Sequence, residues 1–123
     1  MLAANPIIAF VATADADQAI MFYRDQLGLR LTADTEFALE FEIRPTFLRV
    51  QKVETVMPAP FTALGWQVGN IDEEVEVLSR KGVRFERYEG LEQDENGIWQ
   101  SPSGARVAWF RDPDGNVLSL TQL

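Results

Sequence analysis

The most constraining feature of this sequence is a pattern of secondary structure that occurs twice. In the first half, Asp15-Ala-Asp-Gln18 has the spacing of a helix-capping box, and Gly28 ends the helix that follows. In the second half, Asn70-Ile-Asp-Glu73 has the same spacing, and Gly82 ends the helix. Since one strand-like run precedes each helix and several follow it, we expect two copies of a βαβββ unit.

The predicted strands are short apolar or alternating runs between turn residues. They are residues 7–12, 29–33, 37–43 and 46–52 in the first half, and 64–68, 83–87, a piece around 98–99, 106–111 and 117–121 in the second. The predicted fold class is α+β, in a single domain over residues 1–123, with module one at 6–52, a proline-marked linker at 53–61 and module two at 62–123. The second module is longer because residues 88–104 contain the acidic run Glu92–Glu95 and two turn sequences. An α+β domain without internal symmetry is the alternative.

Two residue types are absent, and their absence removes most enzyme classes. The chain has no Cys, which excludes disulfides, thiolate nucleophiles, iron–sulfur clusters and zinc–thiolate sites. It also has no His, the commonest metal ligand and general base. Any chemistry must therefore use Asp, Glu, Arg, Lys, Tyr, Ser or Thr.

Charge and hydropathy restrict the partners and the location. There are 11 basic and 19 acidic residues, so the net charge is −8, and we expect no nucleic-acid partner because an acidic surface repels phosphate backbones. The apolar run from Met1 to Ala14 lacks a positively charged start and is broken at Asn5-Pro6, which favours a buried first strand over a signal peptide. No segment is long and apolar enough to span a membrane, so we expect a soluble, cytoplasmic protein with no membrane partner.

Two motifs resemble those of a known family. Phe22-Tyr23-Arg24-Asp25-Gln26-Leu27-Gly28-Leu29 is similar to the FYxDxLGL segment of the vicinal oxygen chelate superfamily, which includes glyoxalases, bleomycin-resistance proteins and extradiol dioxygenases. Asp112-Pro113-Asp114-Gly115-Asn116 resembles the DPDGN turn before the last strand of that family. The resemblance covers residues 6–123 and implies two βαβββ modules whose mixed sheet curls around a shared cavity, usually in a homodimer.

The resemblance also implies where a metal would be bound. Metal-using relatives take ligands, usually His, Glu or Gln, from the first and last strands of each module. The matching positions here are Ile8, Arg49, Ala63 and Ser119, which do not form a usable ligand set. We therefore expect no metal, no other cofactor and no catalytic residues, and we expect these four side chains to converge on one cavity.

Strand alternation adds further residues to the expected binding site. Ile8 shares a face with Phe10, while Ser119 shares a face with Thr121. The predicted ligand-binding residues are Ile8, Phe10, Arg49, Ala63, Gln67, Trp99, Ser119 and Thr121. Arg49 could bind a carboxylate, phosphate or carbonyl group of a ligand, or it could form a structural ion pair with Glu40 or Glu42 on the preceding strand.

Aromatic residues suggest what kind of ligand the site would take. The candidates are Phe10, Phe37, Phe41, Phe47, Phe61, Trp66, Trp99, Trp109 and Phe110, of which Trp99 is expected to be exposed and Trp66 to be in the core. Metal-free bleomycin-resistance proteins, which the sequence resembles, hold flat, cationic ligands between aromatic side chains in an acidic groove. We therefore expect a small-molecule-binding protein that sequesters a flat aromatic or cationic compound as a homodimer.

Two other functions stay open. One is an enzyme, a lyase, isomerase or dioxygenase relative, with a metal held by Glu or with Arg49 and a tyrosine acting without metal. Tyr23 and Tyr88 are the candidate acids of such an enzyme, and Glu40 and Glu42 are the candidate bases. The other is a degenerate member of the family that serves as an interaction module.

Overall fold

The computed structural model describes all residues from Met1 to Leu123 and divides them into two compact units, Met1–Pro58 and Ala59–Leu123. Each unit has one four-stranded mixed sheet and few helices. The predicted α+β fold with two βαβββ-like modules is confirmed. No helix of the chain has the length and apolar character needed to cross a membrane.

The first unit contains strands β1 (Ile8–Thr13), β2 (Arg30–Asp34), β3 (Ala38–Ile43) and β4 (Thr46–Lys52). The strand order is β1-β4-β3-β2. β1 is parallel to β4, and the other neighbours are antiparallel. The predicted bounds are within one residue of those observed for all four strands.

The helix of the first unit begins as predicted but changes its winding. The Asp15 carboxylate accepts a hydrogen bond from the Gln18 backbone N–H at 3.2 Å, and helix α1 follows (Ala16–Ile20). The next residues, Met21–Gln26, form a π-helical segment, which a regular helical spacing did not predict. Gly28, at φ 79°, ends the helix in the left-handed conformation expected of a glycine stop.

The second unit contains β5 (Thr62–Gln67), helix α2 (Ile71–Arg80), β6 (Trp99–Gln100), β7 (Arg106–Arg111) and β8 (Val117–Gln122). The strand order is β5-β8-β7-β6, with β5 parallel to β8. The predicted cap of α2 is confirmed, because the Asn70 side chain accepts a hydrogen bond from the Glu73 N–H at 3.1 Å. Gly82, at φ 91°, follows the helix.

The predicted strand at 83–87 is wrong. Only one bridge, between Phe85 and Phe110, connects this segment to the sheet. The Gln93 side chain binds the backbone at the end of this segment: it donates to the Glu86 carbonyl at 2.8 Å and accepts from the N–H of the following Tyr88 at 2.7 Å. Side-chain hydrogen bonds therefore replace the ladder in this segment.

The core of each unit lies between its helix and one face of its sheet. In the first unit, Leu39, Phe41, Leu48 and Val50 are fully buried, and the ring of Tyr23 lies 5.6 Å from that of Phe41. Tyr23 is completely enclosed in this core, so it anchors the helix as predicted. The other face of the sheet is not covered by the helix.

In the second unit, α2 covers the corresponding face of its own sheet. Ile71, Val75 and Leu78 of the helix are buried, as are Ala108, Phe110, Leu118 and Leu120 of β7 and β8. Trp66 lies on this side and stacks against Phe110 with ring centroids 6.4 Å apart. Trp66 is half-buried rather than part of the closed core that the sequence predicted.

The first strand is also less buried than predicted. Val11 and Thr13 are buried on the helix side, but Ile8 and Phe10 are 42% and 51% exposed on the opposite face. The apolar residues of β1 therefore lie on two faces of the sheet. Val11 is part of the core, whereas Ile8 and Phe10 form an apolar area on the uncovered face.

The turn between β7 and β8 is built around one buried carboxylate. Asp112 accepts hydrogen bonds from the backbone N–H groups of Asp114 and Asn116, at 3.0 and 2.9 Å, and from the Asn116 side-chain amide at 2.8 Å. Gly115, at φ 89°, provides the positive backbone angle of the turn. The DPDGN motif thus sets the register of the hairpin.

Candidate functional site

The uncovered face of the first sheet, called here the first open face, carries charged and aromatic residues in cross-strand rows. Phe10 on β1 pairs with Arg49 on β4, which pairs in turn with Glu40 on β3. In the next row, Ile8 pairs with Phe47. Because cross-strand partners point to the same side of a sheet, the predicted residues Ile8, Phe10 and Arg49 share this face.

Arg49 forms an ion pair with Glu40, one of the two partners that the sequence allowed. Its Nη1 lies 3.5 Å from Oε1 of Glu40, and both side chains are partly exposed. Glu42 instead accepts a hydrogen bond from Arg44 at 2.9 Å. A partly exposed pair at 3.5 Å contributes little to stability and uses only part of the guanidinium's hydrogen-bonding capacity. The structural role and a ligand-binding role of Arg49 are therefore compatible.

The uncovered face of the second sheet, called here the second open face, also consists of cross-strand rows. In its central row, Gly65, Ser119 and Trp109 lie side by side on β5, β8 and β7. The neighbouring row contains one residue from each of β5, β8, β7 and β6, in that order: Gln67, Thr121, Val107 and Trp99. Four of the predicted ligand-binding residues, Gln67, Trp99, Ser119 and Thr121, therefore share this face.

Ala63 does not follow the alternation on which its prediction depended. The pairing of β5 with β8 passes from Thr62–Val117 directly to Leu64–Leu118, so Ala63 lies in a β-bulge without a partner residue on β8. A bulge inserts one residue and changes the local register. Ala63 is exposed, but it cannot be assigned to the second open face by counting residues from Gly65.

Three rings form an aromatic cluster on the second open face, defined here as Tyr88, Trp99 and Trp109. The centroid of Trp109 is 6.0 Å from that of Trp99, at an interplanar angle of 35°. On another side, Tyr88 meets Trp109 edge to face at 5.5 Å and 80°. All three side chains are half-buried, so each retains surface on which a ligand could pack.

From the sequence, Trp109 is only one of several aromatic candidates, and Tyr88 is only a candidate acid. The hairpin could have indicated the place of Trp109. A turn over residues 112–116 pairs Arg111 with Val117 and thus Trp109 with Ser119, which was already predicted to line the site. No comparable signal exists for Tyr88, because it follows a segment that was predicted as a strand.

Two small residues lie in the same row as the central tryptophan. A Cβ atom at Gly65 would lie 2.7 Å from the Ser119 hydroxyl oxygen, closer than such atoms approach without a shift. Glycine and serine therefore occupy two of the three positions in the Trp109 row. Neither has a large side chain that could cover the ring.

A pair of opposite charges lies beside the aromatic cluster. Nε of Arg111 is 3.0 Å from Oε1 of Glu86, and both groups affect the Tyr88 phenol. Burial raises the pKa of Tyr88, the charge of Glu86 raises it further, and Arg111 opposes them. The phenol is therefore protonated at neutral pH and can donate a hydrogen bond to a ligand.

No three Asp and Glu side chains of the chain are grouped in a way that could hold a metal ion. The acidic run Glu92–Glu95 is solvated at Glu92, Asp94 and Glu95, as predicted, whereas Gln93 is half-buried. The Asp94 carboxylate accepts from the backbone N–H groups of Asn96 and Ile98, both at 2.9 Å, so it is used within its own loop.

Comparison with known proteins agrees with the fold. The family model described as Glyoxalase/Bleomycin resistance protein/Dioxygenase superfamily matches residues 6–120. A solved member of this superfamily from Sphaerobacter thermophilus has a TM-score of 0.77 and 22% identity, with 100% of both chains covered. None of the curated proteins matches the sequence.

Two further solved structures have the same fold. The structure of a lactoylglutathione lyase from Agrobacterium tumefaciens has a TM-score of 0.74 at 17% identity, covering 97% of this chain and 93% of that one. A glyoxalase family protein from Enterococcus faecalis has a TM-score of 0.70 at 18% identity, covering 98% and 99%. At such identities the likeness is one of fold and not of activity.

Proposed function

Because the chain belongs to the glyoxalase/bleomycin resistance protein/dioxygenase superfamily, we propose that it is a metal-independent protein that binds and sequesters a small molecule. In this proposal it resembles the bleomycin-resistance members of the superfamily, and its ligand is a flat, cationic compound. The aromatic cluster on the second open face is the observation that carries the proposal. Two indoles and a phenol meet there beside the Glu86–Arg111 ion pair.

The charge of the protein supports a cationic ligand. Aromatic faces attract cations, with an energy of about 0.5–2 kcal/mol per contact depending on how far the site is desolvated. The net charge of −8 adds a long-range attraction that salt would screen. The exposed Glu92, Asp94 and Glu95 provide negative charge in the same loop region.

The test uses two planar fluorescent probes of opposite charge, proflavine as the cation and fluorescein as the anion. Each is titrated into the wild-type protein while tryptophan emission is followed. We expect saturable quenching by proflavine that weakens as salt is added, and weaker binding of fluorescein. Equal affinity for the two probes, or no saturable binding of proflavine, would contradict the proposal.

Arg49→Ala is expected to separate the two kinds of ligand. In this proposal the anion binds at Arg49 on the first open face, apart from the aromatic cluster. Loss of the guanidinium should then weaken fluorescein binding by about 3- to 10-fold, because a charge-assisted hydrogen bond contributes roughly 1 kcal/mol at a partly exposed site. Proflavine binding should barely change. The control is Arg44→Ala, which removes an exposed arginine that also pairs with a glutamate. Equal losses for both probes would indicate a structural role for Arg49.

We also propose that the protein works as a homodimer, as the family resemblance implies. Large apolar side chains are exposed in the single chain, with Ile7 at 76%, Phe37 at 70% and Phe61 at 67%. Burying such side chains against a second copy of the chain would stabilise a dimer. Light scattering across a range of protein concentrations would give the molar mass, and a monomer at all of them would refute the dimer.

One observation favours a second candidate function, an enzyme of the same superfamily. Tyr88 is a protonated phenol next to Glu86 and Arg111, an arrangement that can donate a proton or polarise a carbonyl group. Such an enzyme could also recruit a metal ion through carboxylates. Elemental analysis of the purified protein tests the metal-dependent form of such an enzyme, because stoichiometric Fe, Mn, Ni or Zn would overturn metal-independent binding.

A further inference from the structure

We propose that Gln93 is the positioning residue of the aromatic cluster, and that its side-chain amide holds Tyr88 and Trp99 in place against Trp109. The inference deepens the proposed function and rests on it, since the cluster is the proposed ligand site. Gln93 itself is not assigned a ligand contact. It acts through the backbone of the segments that carry two of the three rings.

The amide of Gln93 uses its oxygen and its nitrogen on two different segments. Its Oε1 accepts from the Tyr88 N–H at 2.7 Å, and its Nε2 donates to the carbonyl of Glu86 at 2.8 Å. The same Nε2 donates to the carbonyl of Gly97 at 2.9 Å. Both hydrogens of the amide and one acceptor site are thus used.

These bonds connect the rings to the strand beneath them. Glu86, whose carbonyl Gln93 binds, donates its own N–H to the Trp109 carbonyl at 2.7 Å. On the other side, Gly97 lies two residues before Trp99, and the backbone of Gln93 forms a bridge with that of Trp99. One side chain therefore links the segment of Tyr88, the segment of Trp99 and, through Glu86, the strand of Trp109.

The other hydrogen bonds of the loop do not hold the backbone N–H of Tyr88. Residues 83–98 contain no strand, so no regular ladder runs through them. The Asp94 backbone and carboxylate bond to residues 96–98, and Nη1 of Arg87 donates to the Asp94 carbonyl. These contacts are made around Asp94, whereas the side chain of Gln93 reaches the backbone N–H of Tyr88.

The test compares Gln93→Leu and Gln93→Glu with wild type. Leucine keeps much of the volume but removes all three hydrogen bonds, and glutamate keeps an acceptor but removes both donors. The matched control is Gln122→Leu, because Gln122 also accepts a backbone N–H, that of Ile71 at 2.8 Å, on the helix side of the same sheet. Two closely spaced indoles give an exciton couplet in far-ultraviolet circular dichroism, which reports on the Trp99–Trp109 geometry without any ligand.

We expect both Gln93 variants to lose most of the couplet well below their melting temperature, and to bind proflavine about tenfold more weakly. Gln122→Leu should melt earlier yet keep the couplet and the affinity. A couplet retained in Gln93→Glu would overturn the positioning role, even if Gln93→Leu failed to fold. If wild type showed the couplet but did not bind proflavine, the proposed function would fail while the positioning role was still decided by the couplet.

Discussion

Trp109→Ala is expected to reduce the affinity for proflavine by about 10- to 100-fold, the largest binding effect that the structure predicts for a single substitution. Stacking an aromatic side chain on a planar ring contributes roughly 1–3 kcal/mol. Trp109 is central to the aromatic cluster, because both Tyr88 and Trp99 pack against it. Its removal therefore takes away one surface and the support of two others. Fluorescence titration at low salt measures the change.

The controls for Trp109→Ala are chosen to separate binding from folding. Trp109→Phe keeps an aromatic face at the same position and should lose less than about threefold. Trp66→Phe alters a tryptophan on the helix side of the same sheet, stacked on Phe110, and should leave the affinity unchanged. If Trp66→Phe weakened proflavine binding as much as Trp109→Ala, the ligand would not be on the second open face.

Asp112→Ala is expected to have the largest effect on stability, lowering the free energy of unfolding by about 3 kcal/mol. The carboxylate is buried and accepts three hydrogen bonds, and their loss leaves donors of Asp114 and Asn116 without that acceptor. Urea unfolding followed by far-ultraviolet circular dichroism would measure the loss.

Asp112→Asn and Glu89→Ala are the comparisons for this prediction. Asparagine retains one acceptor oxygen but presents an amide to the Asn116 side chain, so an intermediate loss of about 1–2 kcal/mol is expected. Glu89 is exposed in a loop, and its replacement should change stability by less than about 0.5 kcal/mol. A loss at Asp112 no greater than at Glu89 would contradict the structural interpretation of the DPDGN turn.

Local sequence signals predicted much of the fold. The caps at Asp15 and Asn70 and the glycine stops at Gly28 and Gly82 are confirmed, because each depends on residues a few positions apart. The family resemblance drawn from two motifs is also confirmed. Alternation likewise predicted that Arg49 would lie on a different face from its buried neighbours Leu48 and Val50.

The predictions for residues 83–87 and Ala63 failed for a common physical reason. The hydrogen bonds and the bulge found there do not follow from the residue pattern of a strand. Residues 83–87 have the composition of a strand, but the amide of Gln93, seven residues after Glu86, binds the Glu86 carbonyl and the N–H of the following Tyr88. Gln93 itself looked like one member of a solvated acidic run. At Ala63, a one-residue bulge changed a register that counting assumed to be regular. Consequently the aromatic cluster could be predicted only in part, through Trp99.

The strand order has a consequence for how each unit is completed during synthesis. In both sheets the strand made last is an inner one: β4 lies between β1 and β3, and β8 lies between β5 and β7. The first strand of each unit, β1 or β5, therefore has no partner in its sheet until β4 or β8 has been made. A truncation that removes β8 would therefore delete an inner strand of the second sheet rather than an edge strand. It would also leave β5 without a neighbouring strand.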